Sequence, residues 1–186
     1  FSVYPMLLGT YGDGGNLRVL AERARIRGYD VETIELDAGE PVPSSADLYL
    51  LGGGEDDAQV AAVRALKADG GLARGIAAGA VVFAVCAGYQ LLGAQFPGSD
   101  GISEPGLGLL DVTTTRLPKR AVGELLAVPA GGGPFLGRLT QPLTGYENHA
   151  GGTSLGAAAR PLAHVQAGIG NGTRDAGGPA SEGAVQ

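Results

Sequence analysis

The only cysteine of this 186-residue chain, Cys86, stands between an apolar run and a stretch of small and helix-favouring residues. Residues 81–85 precede it, and Ala87-Gly88-Tyr89-Gln90-Leu91-Leu92-Gly93 follows it. The first run has the β-branched composition of a buried strand, and the second has the pattern of a helix. We therefore predict that Cys86 occupies a nucleophile elbow, a sharp strand-to-helix turn whose small neighbours let the reactive atom project from the carboxyl edge of a sheet.

This turn would activate the thiol and supply a donor for an oxyanion. The Cys86 thiol would face the positive end of the following helix, which favours the thiolate, and the amide N–H of Ala87 would be able to receive an anion. The alternative is that Cys86 is a small buried core residue, the common environment of a cysteine outside disulfides. The strand, the small neighbours and the helix together favour the nucleophile.

A glycine run provides a second candidate donor. Gly52-Gly53-Gly54 ends a predicted strand, and the acidic residues 55–57 open a helix. Backbone N–H groups in such a turn can approach an anion without interference from side chains. A glycine cluster alone is more often a plain turn. Next to an elbow on the neighbouring strand, it suits the second half of an oxyanion hole, with a donor near Gly53.

The second half of the chain contains three further candidates. Arg120 is either a solvated charge on a hairpin or a planar clamp for a carboxylate. His149, in the polar cluster 145–151, is either a base for Cys86 or a structural hydrogen-bonding residue, as an isolated histidine in a polar loop usually is. His164 is predicted to be a strand residue that faces solvent or a partner.

The elements that position these residues alternate between strand and helix. Strands are predicted at residues 1–8, 29–36, 47–51 and 81–85, and helices from an Asn16 cap to about residue 27, over 55–69, in a short piece after Gly70-Gly71, and after Cys86. This alternation predicts an α/β fold with a mainly parallel sheet covered by helices on both faces. Beyond Pro97, antiparallel strands are predicted at 108–116, 121–128 and 161–165, with a flexible hairpin tip at 130–134. We expect one domain over residues 1–186.

Composition excludes several function classes. The formal net charge is −6 and Lys and Arg form no cluster, which argues against a nucleic-acid surface. One cysteine and two histidines cannot assemble a metal cluster, so we expect no metal site. A single cysteine without a secretory or membrane-spanning pattern favours a reduced, cytoplasmic protein. The glycine-rich segment 9–16 lacks the ending of a P-loop, so a turn and helix cap is favoured over a nucleotide site.

Three segments, in order, resemble the class I glutamine amidotransferases of the cobyric-acid-synthase-like branch, whose domain is flavodoxin-like. They are Gly52-Gly53-Gly54, Val85-Cys86-Ala87-Gly88-Tyr89-Gln90 and Gly145-Tyr146-Glu147-Asn148-His149. Within that branch, Leu8-Gly9-Thr10-Tyr11-Gly12-Asp13-Gly14-Gly15-Asn16, Pro118-Lys119-Arg120-Ala121-Val122-Gly123-Glu124 and Glu147-Asn148-His149 are similar to the GatD family, the glutaminase subunits of lipid II isoglutaminyl synthases. The similarity runs through nearly the whole chain.

The resemblance implies a function for each candidate. Cys86 would attack the side-chain carboxamide of L-glutamine, with Gly53 and Ala87 as oxyanion donors and with Arg120, Gln90 and Asn148 binding the substrate. The chain itself would need no cofactor. The ammonia would pass to a MurT-like partner of the Mur ligase family, which would bind ATP and Mg²⁺ and amidate the D-glutamate of the lipid II stem peptide to D-isoglutamine.

One departure from the family concerns the general base. The resemblance implies a histidine in a segment similar to Thr-Tyr-Leu-His-Gly-Pro near the C-terminus, and we expect it beyond Gln186, so that the chain lacks its C-terminal segment. Two other hypotheses remain open. One is a cobyrinate-type amidotransferase domain, and the other is a non-catalytic binding protein of the same fold.

Overall fold

The computed structural model describes residues 1–172 and 179–186, and the chain divides into two units, residues 1–91 and 92–186. Each unit has its own sheet. The sheet of the first is parallel, and that of the second is mostly antiparallel. The predicted α/β fold, with a parallel sheet and added antiparallel strands in the second half, is confirmed. The expectation of one domain over residues 1–186 stays a prediction.

The first unit contains four strands and four helices, the last of which extends one residue past residue 91. They are β1 (Ser2–Val3), α1 (Gly14–Ile26), β2 (Glu35–Leu36), β3 (Leu48–Leu51), α2 (Asp56–Asp69), α3 (Gly71–Ala77), β4 (Val81–Ala84) and α4 (Ala87–Leu92). The strand order is β2-β1-β3-β4, and all three pairings are parallel. The chain therefore moves to one side of β1 to form β2 and to the other side to form β3. Ligands of open α/β sheets bind at the carboxyl edge beside such a switch point.

Helix α2 illustrates why the local sequence folds as it does. Its buried residues, at positions 59, 62, 63 and 66, follow the spacing of one helical face. Asp56 and Asp57 stand in its first turn and Lys67 in its last, where they complement the helix dipole. Gly70, at φ 68°, ends the helix in the left-handed conformation that glycine adopts without strain.

Two strands of the first unit are shorter than the sequence predicts. Strand β1 ends at Val3, because Tyr4 has φ 53° and the following Pro5 has no N–H to donate to a ladder. Strand β2, predicted over 29–36, is limited to Glu35–Leu36, since the short β1 is its only ladder partner in the described sheet.

The prediction that Asn16 caps α1 is wrong. The helix begins at Gly14, with Asp13 at the N-cap position. The backbone N–H of Asn16 donates to the Asp13 carbonyl at 2.9 Å, so Asn16 already lies in the first turn. The Asp13 side chain forms no cap hydrogen bond with the helix.

Strand β4, which the sequence predicts to be buried, is an edge strand of the four-stranded sheet. Its ladder partner on one side is β3, with Leu51 opposite Ala84. Val81 and Phe83 are 37% and 44% exposed. Alternate residues of a strand lie on the same face, so one face of β4 is partly open to solvent.

The second unit is built around a long antiparallel hairpin. Its elements are β5 (Gln95–Pro97), β6 (Ser103–Pro105), β7 (Val112–Pro129), α5 (Gly133–Leu136), β8 (Leu143–Leu155), β9 (Arg160–Ala167) and β10 (Ser181–Val185). The strand path is β10-β9-β7-β5-β6, and β8 pairs with β7.

The predicted strands at 108–116 and 121–128 are parts of one strand, β7. The β7–β8 register shifts between Arg116 and Ala121, across a segment that contains Pro118. A proline cannot donate to the ladder, and an irregularity accommodates it there without ending the strand. The predicted hairpin tip lies in the β7–β8 connection, where Gly133–Leu136 forms one helical turn; its flexibility stays a prediction.

Among the residues that the structure describes, no helix combines the length and hydropathy required to span a membrane.

Candidate active site

Cys86 lies between the end of β4 and the start of α4, as the sequence predicts. Its φ is 54°, and Tyr4 is the only other non-glycine residue with positive φ in the described parts of the chain. This backbone region is strained for a residue with a Cβ, and such strain is concentrated at functional turns. Cys86 is exposed, so the turn presents the thiol at the surface of the first unit.

Backbone hydrogen bonds fix the two sides of this turn to strand β3 and the residue that follows it. The Val85 N–H donates to the Leu51 carbonyl at 2.9 Å, and the Gly88 N–H donates to the Gly52 carbonyl at 2.9 Å. A Cβ at Gly88 would lie 2.5 Å from the Leu51 oxygen, which is closer than real Cβ contacts. Glycine at position 88 therefore allows α4 to start directly against β3.

The glycine turn after β3 lies beside the nucleophile candidate. A Cβ built at Gly53 would be 3.2 Å from the Cβ of Cys86. Cβ atoms at Gly52 and Gly54 would be 2.0 Å and 2.4 Å from the carbonyl oxygens of Leu8 and Leu7. The turn thus packs against the loop after β1 on one side and Cys86 on the other, at the switch point of the sheet.

The two predicted oxyanion donors differ in their present partners. Ala87 is 2% exposed, and its amide N–H has no acceptor among residues 1–172 and 179–186. The Gly53 N–H donates to Oδ2 of Asp13 at 2.9 Å. The structure therefore brings Cys86, Gly53 and Ala87 together, and in this conformation the Gly53 amide is engaged by a carboxylate.

Three further residues shape this region, and the sequence pattern predicts no role for them. They are Tyr11, Asp13 and Gln59. The Tyr11 ring lies 3.2 Å from the Cβ position of Gly53, and its hydroxyl donates to Oε1 of Glu55. For Tyr11 and Asp13 the available signal is the glycine-rich segment 9–16, because a loop directly after the first strand of a parallel sheet lies at its carboxyl edge.

Gln90 is a half-buried residue of α4 whose side chain meets a buried glutamine. Gln59 is 2% exposed, and its Nε2 donates to the Ala87 carbonyl at 3.2 Å and to Oε1 of Gln90 at 3.4 Å. This pair connects α2 to the first turn of α4. The role of Gln90 in substrate binding stays a prediction.

Arg120 and Asn148, the other predicted substrate-binding residues, contact each other in the second unit. Arg120 Nε donates to Oδ1 of Asn148 at 2.7 Å, and Arg120 Nη2 donates to the Asn148 carbonyl at 3.3 Å. Both residues are exposed, on the neighbouring strands β7 and β8. The structure thus forms a planar cation held by an amide, a group suited to a carboxylate ligand.

His149 is part of a strand, although the sequence predicts a polar loop. Position 149 pairs with Ala121 in the β7–β8 ladder, and the ladder outweighs the glycines on either side. Its Nδ1 lies 2.9 Å from the Gly151 carbonyl, which can only accept, so this nitrogen carries the proton. Its Nε2 is 3.6 Å from Oε2 of Glu147. Both ring nitrogens therefore have partners within β8, which agrees with the structural alternative for this histidine.

Buried Glu147 and half-buried Glu182 both interact electrostatically with the region of His149. The Glu147 carboxylate is 5% exposed and accepts the N–H groups of Ile169 and Gly170, each at 2.8 Å. Burial raises the pKa of Glu182 above its ordinary value, an effect that His149 opposes and the charge of Glu147 increases. In the described residues no group of three or more His, Cys, Asp or Glu side chains is arranged to hold a metal ion.

His164 lies on β9, and the prediction that it is a strand residue is correct. It pairs with Val128 on one side and Ser181 on the other, so the strand is internal to the sheet. Its Nδ1 is buried and has no hydrogen-bond partner in the described part of the chain. His164 as a whole is half-buried, and the prediction that it faces solvent or a partner stays a prediction.

Comparison with known proteins gives a family match and several relatives. The family described as CobB/CobQ-like glutamine amidotransferase domain matches residues 2–186. The lipid II isoglutaminyl synthase (glutamine-hydrolyzing) subunit GatD of Staphylococcus aureus is 32% identical over 90% of this chain and 66% of that protein. The cobyric acid synthase of Rhodobacter capsulatus is 32% identical over 82% of the chain and 34% of that protein. That of Methylobacterium nodulans is 38% identical over 71% and 27%. The chain thus spans just under two thirds of the first relative and about a third or less of the others.

Proposed function

Since the chain belongs to the CobB/CobQ-like glutamine amidotransferase domain family, we propose that it is a glutaminase subunit in which Cys86 is the nucleophile. The observation that carries this proposal is the left-handed backbone of Cys86, at φ 54°, on an exposed strand-to-helix turn. A residue with a Cβ adopts this backbone conformation only at an energetic cost. Such strain is typical of a turn that projects a reactive side chain.

The proposed reaction has two steps. The Cys86 thiolate attacks the side-chain carboxamide carbon of L-glutamine, a carbon–sulfur bond forms, and the carbon–nitrogen bond breaks as ammonia leaves with one added proton. Water then attacks the glutamyl thioester, the carbon–sulfur bond breaks, and glutamate and the thiol are released. The net change is glutamine plus water to glutamate plus ammonia.

Backbone amides stabilise the tetrahedral oxyanion in this proposal. The Ala87 N–H has no acceptor among the described residues and follows Cys86 directly, in the usual position of an oxyanion donor after a nucleophile. The second donor is the Gly53 N–H, on the turn that packs against the Cys86 side chain. Each such donor is typically worth about 10²–10³ in kcat.

We propose that Arg120, held by Asn148, binds a carboxylate of the substrate, and that Gln90 supports the binding site through Gln59. The support for Arg120 is its planar guanidinium, positioned by two hydrogen bonds. His149 is not proposed as the general base, because its two nitrogens already contact Gly151 and Glu147.

The ammonia acceptor is proposed from the relatives. Similarity to the GatD subunit over 90% of the chain supports a MurT-like ligase partner. That partner would bind ATP and Mg²⁺, activate the D-glutamate of the lipid II stem peptide, and use the ammonia to form D-isoglutamine. This chain would contribute no cofactor site to that reaction.

A second candidate function is amidation of a cobyrinate-type acceptor. The observation that favours it is the similarity to cobyric acid synthases, which reaches 38% identity over 71% of the chain. The chain matches only 27% of that protein, so this function would also require further protein regions. Supplying either acceptor system with the ammonia-producing protein, and measuring which one is amidated, distinguishes the two.

The first prediction tests the nucleophile. Cys86→Ala is expected to reduce glutamate release from glutamine to background, with the circular-dichroism spectrum and melting temperature close to those of the natural protein. Cys86→Ser is expected to be nearly as inactive, because a hydroxyl is far less ionised than a thiol. The measurement is glutamate release, with and without the ligase partner. Retained turnover in Cys86→Ala would falsify the covalent mechanism.

A further inference from the structure

We propose that Asp13 is a positioning residue that controls the oxyanion hole, because its carboxylate holds the Gly53 amide that the glutaminase reaction needs. This inference rests on the function proposed above. In the structure the Gly53 N–H donates to Asp13 Oδ2 at 2.9 Å, over a separation of 40 residues. This role of Asp13 would involve the glycine-rich loop after β1 in catalysis, whereas the reaction steps described above use no residue of that loop.

Asp13 is placed for this contact by the start of α1. It occupies the N-cap position, where an aspartate ordinarily accepts an amide N–H from its own helix. Here the side chain forms no cap bond and reaches across to the turn after β3 instead. Asp13 is 9% exposed, and its second oxygen accepts Nδ2 of Asn16 at 3.5 Å. The carboxylate is thus buried and directed toward Gly53.

The Asp13 carboxylate and the Cys86 side chain both pack against Gly53. A Cβ at Gly53 would be 3.5 Å from Asp13 Oδ2 and 3.2 Å from Cys86 Cβ. The neighbouring Gly52 would place its Cβ 2.6 Å from the Cβ of Asp13, so only glycine allows this approach. Asp13, the glycine turn and Cys86 therefore form one contiguous group.

The contact has a chemical consequence for catalysis. An amide has one N–H, and while it donates to Asp13 it cannot donate to the oxyanion. A carboxylate beside the developing negative charge would also oppose the tetrahedral intermediate, since like charges in a buried site repel. The two-donor oxyanion hole therefore forms only when the hydrogen bond between the Gly53 amide and Asp13 is broken. Rotation of the Gly52–Gly53 peptide would also break the hydrogen bond from the Gly88 N–H to the Gly52 carbonyl, so movement of the Asp13 side chain is the simpler route.

The test is Asp13→Asn, which keeps the shape and an acceptor oxygen but removes the charge. A neutral acceptor holds an N–H about half as strongly as a charged one, so release of Gly53 becomes easier. We expect kcat for glutamine hydrolysis without the partner to rise by about fivefold or more, with little change in KM. An unchanged or lower kcat overturns the inference.

Loss of the charge would also favour the Cys86 thiolate, and a second measurement separates the two effects. Alkylation of Cys86 by iodoacetamide requires the thiolate but no oxyanion hole, so its rate against pH reports the thiol alone. We expect alkylation to accelerate less than kcat. Equal acceleration of both would overturn the positioning role.

The matched control is Asp30→Asn, which removes the same charge from an exposed position of the same unit. We expect it to leave kcat, KM and alkylation unchanged. If the natural protein shows no Cys86-dependent glutamate release, the proposed function itself fails. If it shows such release and Asp13→Asn does not accelerate it, only this inference fails.

Discussion

Glu147 of the second unit shows how one buried carboxylate can hold the backbone of a neighbouring segment. Glu147 of β8 accepts the amides of Ile169 and Gly170, in the segment after β9, and also lies near His149. A carboxylate with two backbone donors is well satisfied without a metal ion or a substrate. In the segment Glu147-Asn148-His149, which resembles the family motif, Glu147 and His149 therefore stabilise the structure. Asn148, between them, contacts Arg120.

The second prediction concerns Glu182, also at the residue scale. Burial raises its pKa above 4.5 in the folded state, with His149 opposing and Glu147 adding to the shift. Folded Glu182 thus binds its proton more tightly than Glu182 of the unfolded chain, so the contribution of this group to stability is most favourable below about pH 4.5. That contribution falls as the pH rises from that value through the folded-state pKa. Glu182→Gln removes this fall and is expected to raise the melting temperature at neutral pH more than at pH 4.

Melting temperatures measured between pH 4 and pH 8 check this expectation. The control is Glu124→Gln, which changes the same charge on an exposed position of β7. A Glu182→Gln profile parallel to that of the natural protein would show that burial does not penalise the Glu182 carboxylate.

At the scale of elements, the close packing of α4 against β3 fixes the position of Cys86. The third prediction is that Gly88→Ala destabilises the protein by about 1–3 kcal/mol, the usual cost of overpacking. The added Cβ would lie 2.5 Å from the Leu51 carbonyl oxygen, so backbone must move. Because Gly88 also donates to Gly52, the movement should reach the glycine turn and reduce glutamine hydrolysis.

Gly15→Ala is the matched control for this substitution. Gly15 lies in α1, and nothing lies within 4 Å of a Cβ at that position. Alanine there should be neutral or stabilising by up to about 1 kcal/mol, since glycine is a poor helix former. Chemical denaturation of both variants provides the comparison. Equal stabilities for Gly88→Ala and the natural protein would mean that α4 can shift without cost.

The elements also show which parts of the structure the sequence could predict. The sequence predicts helix α2 to within one residue of its observed start, because its apolar spacing, acidic first turn and terminal glycine are all local signals. The sequence does not predict strand β8, since its glycines and polar residues resemble a loop and its conformation depends on pairing with β7. By contrast, the sequence does predict that Cys86 lies near the glycine turn, because β3 and β4 are neighbouring strands. The Asp13 contact spans 40 residues and has no local signature.

At the scale of the whole molecule, the fourth prediction tests whether residues 1–186 behave as one domain. The chain contains no tryptophan, so a single tryptophan can report from each unit. Tyr29→Trp places it in the first unit and Phe135→Trp in the second, at positions 67% and 50% exposed. One cooperative domain requires the same denaturation midpoint for both fluorescence signals and for circular dichroism. Separate midpoints would divide the chain into two independently unfolding domains.

The left-handed backbone at Cys86 has a consequence for the balance between stability and activity. An L-residue with a Cβ at φ 54° costs roughly 1–2 kcal/mol relative to glycine, a sizeable share of a marginal folding free energy. The fifth prediction is therefore that Cys86→Gly melts at a higher temperature than Cys86→Ala, although both lack the thiol. Equal melting temperatures would mean that the turn stores no strain. If Cys86→Gly is the more stable variant, the folded protein would be more stable with glycine than with a Cβ-bearing residue at position 86. Selection for stability alone would then replace the nucleophile.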